Sequence, residues 1–294
     1  MTEPNPKRAR LIQVQSWHDL SPHLRRIVFH SPELADYPFT RNGAHIKILL
    51  PRAGQSKPVL PDLTPQGPRW PDKTAAPYKR SYTLSAFDRT ECTMTIDFVL
   101  HNSNGPASHF ARSVQAGQSI GVSAPAGSRD MPASCAHAVI AGDLSALPAI
   151  SAMLAEMHPH SRGDVWLWLP EAADLPALLP KPAAINVHFF SGNAPDTVAA
   201  IAAQIAALPQ PPSDCRCWFG GEAQLVAALR PIARVQWRLP AAHCYAVPFW
   251  RRGEDEEQYH RQRHVFMDAD DALANEWQRL AFDKNPACRV CGHR

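Results

Sequence analysis

Residues 80–85 read Arg-Ser-Tyr-Thr-Leu-Ser, and residues 97–101 read Asp-Phe-Val-Leu-His. Both stretches are rich in β-branched and aromatic residues, which is typical of strands. Residues 105–108, Gly-Pro-Ala-Ser, follow the second stretch. Glycine permits a turn there, and proline suits the first turn of a helix. The order predicts two strands and a helix start in the first half of the chain.

Working outward, short strand-like runs separated by turn residues fill residues 11–123. Six such runs with few helices predict a small antiparallel barrel. A stretch rich in Pro, Gly, Lys and Asp interrupts them at residues 52–79, and we expect a long surface loop over the barrel mouth. The predicted strands are Leu11–Val14, Arg25–His30, His45–Leu50, Ser81–Phe87, Thr93–Leu100 and Ser119–Ser123.

From residue 136 the pattern changes to alternating strands and helices, which predicts a parallel sheet with crossover helices. The fold class is therefore a six-stranded barrel followed by a parallel-sheet, nucleotide-binding-like domain. We place the domains at residues 8–130 and 135–247, with a helical extension and tail at 248–294. The predicted strands are Ala136–Ala141, Val165–Leu169, Val187–Phe190 and Cys215–Phe219. The predicted helices are Ala146–His158, Thr197–Leu208, Glu222–Arg234, Asp255–Arg263 and Asp268–Phe282.

Composition excludes several classes of protein. A chain of 294 residues with 45% hydrophobic and 19% charged residues is ordinary for a globular protein of two domains. A net charge of +3 does not indicate nucleic acid binding, and no apolar run is long enough to span a membrane. Seven scattered cysteines are not a disulfide framework, so we expect a reducing cytoplasm.

The first two stretches have the chemistry that a flavin dinucleotide needs. Arg80 and Tyr82 lie on one face of a strand and Thr83 on the other, so a twist or bulge would be needed to aim all three at one ring. An arginine can clamp the pyrophosphate, a tyrosine can stack on the isoalloxazine, and a helix start offers amide groups to a phosphate. His101 could bond a phosphate or flavin edge, or a backbone carbonyl.

The chain resembles the siderophore-interacting protein family, the FAD-dependent ferric-siderophore reductases of the ferredoxin-reductase-like superfamily. The matching motifs run in family order from about residue 8 to 260. They are Arg80-Ser-Tyr-Thr, Ile96-Asp-Phe-Val-Leu-His101, Gly105-Pro-Ala-Ser-His-Phe-Ala111, Ala141-Gly-Asp-Leu-Ser-Ala-Leu-Pro-Ala-Ile150, Trp218-Phe-Gly-Gly-Glu222 and Phe249-Trp-Arg-Arg-Gly253.

The resemblance implies a barrel that binds FAD and a nucleotide-type domain that faces an NADH or NADPH donor. The cofactor-binding residues that we expect are Arg80, Tyr82, Thr83, Ser85, His101, Gly105, Ala107, Ser108, Asp143 and Trp250.

The second half leaves several alternatives open. Asp143 either contacts the cofactor or caps the helix that begins near Ala146. The indole of Trp250 either covers the flavin or belongs to an interdomain core. This chain departs from the family at three places. The family often carries arginine where this chain has Ser85, and Glu-Thr where it has Leu144-Ser145. The family's closing motif is usually Gly-Tyr-Trp-Arg, and here it is Pro248-Phe249-Trp250-Arg251. The change at 144–145 removes a carboxylate from the presumed nicotinamide side, so NAD(P)H and reduced ferredoxin both stay open as donors.

A ferric siderophore is a bulky and often anionic complex, so its reductase needs an open cleft with positive charge near the flavin. We expect no acid–base pair, because the step is an electron transfer. The expected substrate-binding residues are Lys47, Lys57, Lys73, Lys79, Arg251 and Arg252. The rival functions are a flavin or ferredoxin-type reductase with another acceptor, and a siderophore-binding flavoprotein without turnover.

The C-terminal Cys288-x-x-Cys291-Gly-His293 resembles half of a metal site. A structural zinc or an iron–sulfur cluster needs four ligands, and the nearest upstream pair, Cys215 and Cys217, lies on a predicted buried strand. We therefore expect no native metal.

Overall fold

The computed structural model describes residues 5–254 except 65–66, 71, 73, 102–104, 127–133 and 176–178, together with Tyr259. The predicted helices at 255–263 and 268–282, and the cysteines at 288 and 291, lie outside these described residues apart from Tyr259. No helix within the described ranges has the length and hydropathy needed to cross a membrane.

The first half is a closed antiparallel barrel of six strands in the order β1-β2-β7-β6-β3-β8, as predicted. Its interior is filled by fully buried aliphatic and aromatic side chains such as Ile27, Ile48 and Phe98. A seven-residue helix, α1 (Pro106–Arg112), follows β7. The barrel strands are β1 (Arg10–Ser21), β2 (Leu24–His30), β3 (His45–Leu50), β6 (Tyr78–Asp88), β7 (Thr93–Val99) and β8 (Ser119–Val122).

The insertion between β3 and β6 contains a short hairpin of β4 (Asp62–Thr64) and β5 (Gly67–Arg69), where we had expected a loop. Leu60 fills the space beside Gly121 of β8, so this part of the insertion packs on the barrel wall. The ammonium of Lys79 lies 5.1 Å from the Trp70 ring centroid, and the Arg52 guanidinium lies 4.2 Å from that of Tyr78. These contacts attach the insertion to β6.

The second half is a five-stranded parallel sheet in the order β11-β10-β9-β12-β13. Apolar clusters bury both faces, as expected for crossover connections. The strands are β9 (His137–Asp143), β10 (Arg162–Trp168), β11 (Ala184–Phe190), β12 (Arg216–Glu222) and β13 (Cys244–Trp250). The helices are α2 (Leu147–Glu156), α3 (Ala194–Ala206) and α4 (Ala223–Pro231).

Two details of this half differ from the predictions. α4 ends at Pro231 and continues as a π-helical turn over Ile232–Gln236, because a proline interrupts the regular hydrogen-bond ladder. β13 was missed, since Pro248 within an apolar run argues against a strand. β13 lies at the sheet edge, where proline is tolerated, and it places residues 248–250 in the sheet beyond our boundary at 247.

Within the described part of the chain, polar contacts join the two halves at Asp174 and at Glu156. The buried carboxylate of Asp174 accepts hydrogen bonds from the Ser21 hydroxyl at 2.6 Å and the His23 amide at 3.0 Å, and its other oxygen lies 2.9 Å from Nδ1 of His23. Elsewhere Arg41 of the barrel pairs with Glu156 of α2 at 2.9 Å.

Candidate cofactor and substrate site

The Arg80–Thr83 motif lies on β6 next to β3. Tyr82 pairs with Ile46 and Arg80 with Ile48, and both isoleucines are fully buried in the barrel. Directly opposed residues of a sheet share a face, so Arg80 and Tyr82 lie on the interior side and Thr83 on the outer side. This is the alternation that the sequence predicts.

The motif lies beyond the end of the ladder between β6 and β7, which joins residues 84–88 to 93–96. Tyr82 contacts β7 through its ring, whose centroid is 4.5 Å from that of Phe98 at an angle of 40°. The guanidinium of Arg80 donates to the Lys79 carbonyl at 2.8 Å. The barrel therefore presents an aromatic ring and a guanidinium at one end.

Ser85 occupies a β-bulge, since the pairing of β6 with β7 shifts between Leu84 and Ala86. Its hydroxyl oxygen is buried and has no hydrogen-bond partner among the described residues. Most buried hydroxyl groups in proteins have a partner, and an unpaired one costs about 1–3 kcal/mol. A ligand that bonds this hydroxyl would remove that cost.

His101 follows β7 and faces the start of α1. Its Nε2 lies 2.8 Å from the Ser108 hydroxyl, and its carbonyl accepts a hydrogen bond from Arg112. Burial, together with the charge of Arg112, lowers the pKa of His101. Both effects favour the neutral imidazole, which serves here as a hydrogen-bonding group. Gly105 is the N-cap of α1, and Ala107 lies in its first turn.

Asp143 ends β9 and is almost completely buried, with 5% of its surface exposed. One carboxylate oxygen accepts from the Ser145 amide at 2.8 Å and hydroxyl at 2.6 Å. The other accepts from the Glu222 amide at 2.8 Å and Nε1 of Trp250 at 2.7 Å. Burial raises the pKa of Asp143 despite these bonds. The carboxylate bonds the turn before α2, but α2 itself begins at Leu147 without a side-chain cap.

Glu222 ends β12 and is fully buried. One carboxylate oxygen accepts from the amides of Gln224 at 2.6 Å and Leu225 at 3.4 Å, which caps α4. The other accepts from the Arg252 amide at 3.3 Å. Sequence reasoning assigned no role to Glu222, although a carboxylate before a helix is a recognisable capping signal.

The six expected substrate-binding cations are spread over both halves. Lys47 and Lys79 lie on the outer face of β3 and β6, where the Lys47 ammonium donates to Ser81 at 2.5 Å. Lys57 is exposed on the insertion, and Lys73 lies outside the described residues. Arg251 pairs with Glu254 at 3.2 Å, and Arg252 is exposed beside it. Lys47 and Lys79 are thus brought together next to the Arg80–Thr83 motif.

Two family models match the chain. A siderophore-interacting FAD-binding domain matches residues 13–129, and a siderophore-interacting protein model matches residues 135–253. The chain belongs to the siderophore-interacting protein family. The resemblance predicted from the motifs is therefore confirmed.

Named relatives agree with this membership. Ferric vibriobactin reductase ViuB of Vibrio cholerae is 32% identical over 250 residues, which are 85% of this chain and 92% of the relative. The crystal structure of the siderophore-interacting protein SipS from Aeromonas hydrophila is 42% identical with a TM-score of 0.80, and the match covers 90% of this chain and 100% of SipS.

A more distant structure supports the fold alone. Ferredoxin-NADP+ reductase from Plasmodium falciparum has a TM-score of 0.58 at 10% identity, and the match covers 83% of this chain and 98% of that one. The predicted fold class, a six-stranded barrel and a parallel sheet in a ferredoxin-reductase-like arrangement, is confirmed.

Family membership implies FAD in the barrel domain, and the residues of the Arg80–Ser85 segment of β6 fit such a group. Tyr82 supplies an aromatic ring, and Ser85 supplies a buried hydroxyl that lacks a partner among the described residues. FAD has both a flat ring system and many hydrogen-bonding edges.

Proposed function

We propose that this protein is an FAD-dependent reductase of ferric siderophores that releases iron as Fe(II). The observation that supports this best is the Arg80–Ser85 segment of β6, in a chain that belongs to the siderophore-interacting protein family. The relative with 32% identity is named ferric vibriobactin reductase. Activity in the cytoplasm is part of the proposal.

The barrel residues have distinct roles in this proposal. The ring of Tyr82 orients a flat cofactor, and the Arg80 guanidinium neutralises a pyrophosphate. The hydroxyl of Ser85, at the bulge, offers a hydrogen bond to a polar edge of the ring. Thr83 faces the outer side of β6, so the bulge that follows it does not bring it to the side of Tyr82. His101 is neutral and bonded to Ser108, so it positions the start of α1 without adding charge.

Bound FAD would supply the ability to accept electrons in pairs and pass them on singly. The ferric ion of the substrate accepts one electron and becomes Fe(II), which oxygen ligands hold less well, so the metal leaves. The chain's part in this step is electrostatic: Lys47 and Lys79 attract an anionic iron complex to the barrel face beside the flavin motif.

The test is an anaerobic stopped-flow experiment on the FAD-loaded protein. The flavin is photoreduced so that no biological donor is needed, and ferric catecholate, hydroxamate and carboxylate complexes are added in turn. We expect the flavin absorbance to return and a ferrous chelator to trap Fe(II) in step with it.

Other results would favour the rival functions. A flavin that is reoxidised by artificial acceptors but by none of the iron complexes would indicate a general flavin or ferredoxin-type reductase. A protein that binds the iron complexes and leaves the flavin reduced would indicate a siderophore-binding flavoprotein without turnover.

The substrate-binding lysines are tested by charge removal. Lys79→Gln should raise the apparent KM for an anionic ferric complex by roughly threefold, because one exposed charge contributes at most about 1 kcal/mol. Lys7→Gln, on the exposed N-terminal segment, is the matched control. An unchanged KM in Lys79→Gln would remove this residue from the proposed site.

A further inference from the structure

The strand order of the parallel sheet identifies where a dinucleotide would bind. The chain passes from β9 outward through β10 to β11 and then returns to β12 on the other side of β9. In such sheets ligands bind at the carboxyl ends of the strands where the order reverses, here between β9 and β12. NADH or NADPH, the donor that the fold implies, would place its pyrophosphate in this crevice.

The glycines at this point do not leave open space. A Cβ atom on Gly142 would lie 2.7 Å from Cβ of Ala146, and one on Gly221 would lie 2.7 Å from the carboxylate of Asp143. One on Gly220 would lie 2.6 Å from the Trp218 ring. These three glycines are therefore required by close packing within the protein, and the space beside each one is taken by protein atoms.

The amide groups that would bind a phosphate are also occupied. The amides of Ser145 and Glu222 donate to Asp143, and those of Gln224 and Leu225 donate to Glu222. Two buried carboxylates of the protein therefore take the place of an anionic ligand at the start of α4 and before α2. A phosphate would have to displace one of them.

The indole of Trp250 covers the crevice between the ends of β9 and β12. Trp250 is paired with Glu222 at the end of β13, and β13 is two strands away from β9. Two strand spacings are about 10 Å, so the bond from Nε1 to Asp143 takes the indole across the end of β12. The exposed fraction of Trp250 is 36%, which places it at the rim with its nitrogen inside.

We propose that Trp250, held by Asp143, excludes pyridine dinucleotides from this crevice and is a specificity determinant for the electron donor. The residues present do not fit the pyrophosphate of NADH or NADPH while this contact is made. Asp143 is a positioning residue, because it acts through the indole and through the amides at the ends of β9 and β12. The inference deepens the proposed function, since it concerns the donor for the same flavin.

The test measures binding without turnover. The FAD-loaded protein is titrated with NADPH and with NADH by isothermal calorimetry, in the wild type, Trp250→Ala and Trp250→Phe. We expect no saturation of the wild type near 1 mM, which corresponds to a binding free energy weaker than about −4 kcal/mol. Trp250→Ala should bind about tenfold more tightly, with Trp250→Phe between them, since phenylalanine keeps a ring and loses the N–H.

The control is Trp17→Ala, because Trp17 has a similar exposed fraction of 39% on the barrel. Micromolar binding by the wild type, or equal affinities in the wild type and both Trp250 variants, would overturn the inference. The result is independent of the proposed function: a photoreduced protein that fails to reduce ferric siderophores while these affinities follow the expected order would remove only the proposed reaction.

Discussion

The Arg80–Ser85 segment of β6 in the barrel and the carboxyl edge between β9 and β12 both carry residues that we expect to contact a cofactor, yet the two regions differ in how their polar groups are paired. At the barrel, Ser85 keeps a buried hydroxyl without a partner among the described residues. At the sheet edge, both oxygens of Asp143 and of Glu222 accept hydrogen bonds from the protein.

The difference teaches that a fold-level resemblance does not decide which crevice accepts a ligand. Both regions are candidate cofactor sites, but among the buried groups compared here Ser85 alone has a hydrogen bond left to make within the described residues. Pairing of buried polar groups is therefore a sharper guide than topology, because an unpaired group costs free energy until something binds it.

The largest expected effect is on stability, and it tests the hydrogen bonds that Asp143 accepts at the ends of β9 and β12. Asp143→Ala should lower the free energy of unfolding by about 3 kcal/mol or more, because several buried donors lose their acceptor at once. Chemical denaturation of the FAD-loaded protein measures it. Asp164→Ala is the control, since Asp164 is a more exposed carboxylate paired with His188. An equal decrease in the free energy of unfolding in both variants would mean that the buried hydrogen bonds of Asp143 stabilise the protein no more than an exposed ion pair does.

The second prediction tests the aromatic part of the barrel site. Tyr82→Ala should raise the Kd for FAD roughly tenfold to a hundredfold, because the ring contributes both buried area and a stacking surface. Flavin fluorescence during titration of the apoprotein gives the Kd. Trp70→Ala removes an aromatic ring from the insertion next to the same strand and should leave the Kd unchanged. A similar increase of the Kd in both variants would show that Tyr82 has no specific role in binding FAD.

The third prediction tests whether the unpaired hydroxyl of Ser85 contacts FAD or has no role in binding. Ser85→Ala should weaken FAD binding about fivefold, the value of one hydrogen bond near 1 kcal/mol, and leave the apoprotein equally or slightly more stable. Ser108→Ala, which removes a hydroxyl bonded to His101, should by contrast lower the stability of the apoprotein, even though Ser108 is also an expected cofactor contact. An unaltered FAD affinity in Ser85→Ala would place the hydroxyl outside the cofactor site.

The smallest effect concerns the contact between the halves. Burial tends to raise the pKa of Asp174, but hydrogen bonds from Ser21 and His23 outweigh it and the pKa is lowered. A lowered carboxyl pKa contributes stability that is present above its unfolded value, about 4, and is lost as pH falls through the folded value.

Asp174→Asn should therefore be less stable than the wild type at neutral pH by about 1 kcal/mol, and the difference should shrink as the pH falls below about 4. Thermal unfolding across that pH range measures it. A constant difference at every pH would show that the ionised form of Asp174 is not what stabilises the contact.

Much of the fold could be predicted because local patterns carry it. Four of the six barrel strands contain the whole predicted run, and the runs predicted for β7 and β8 extend one residue beyond the strand, since alternation and turn residues specify each strand but not its last residue. β13 was not predicted, because a strand that contains proline is acceptable only at the edge of a sheet. Whether a strand lies at the edge depends on the order of all the strands, which the local sequence does not show.

The site was less accessible to sequence reasoning. The Arg80–Thr83 motif and its faces follow from alternation, whereas the orphan hydroxyl of Ser85 depends on a bulge that no local pattern indicates. The bond between Asp143 and Trp250 joins residues 107 positions apart, so only the order of the strands brings them together. Their roles as cofactor contacts, like those of the other residues expected from the sequence, stay predictions.

The contacts between the two halves have a consequence for how the barrel and the sheet can move. Asp174 bonds the turn between β1 and β2, while Glu156 pairs with the segment before β3, so a change in the angle between barrel and sheet would strain both contacts. Buried apolar packing at the same boundary adds to this resistance, because Leu24 of the barrel belongs to the cluster that contains Ile140 and Leu147.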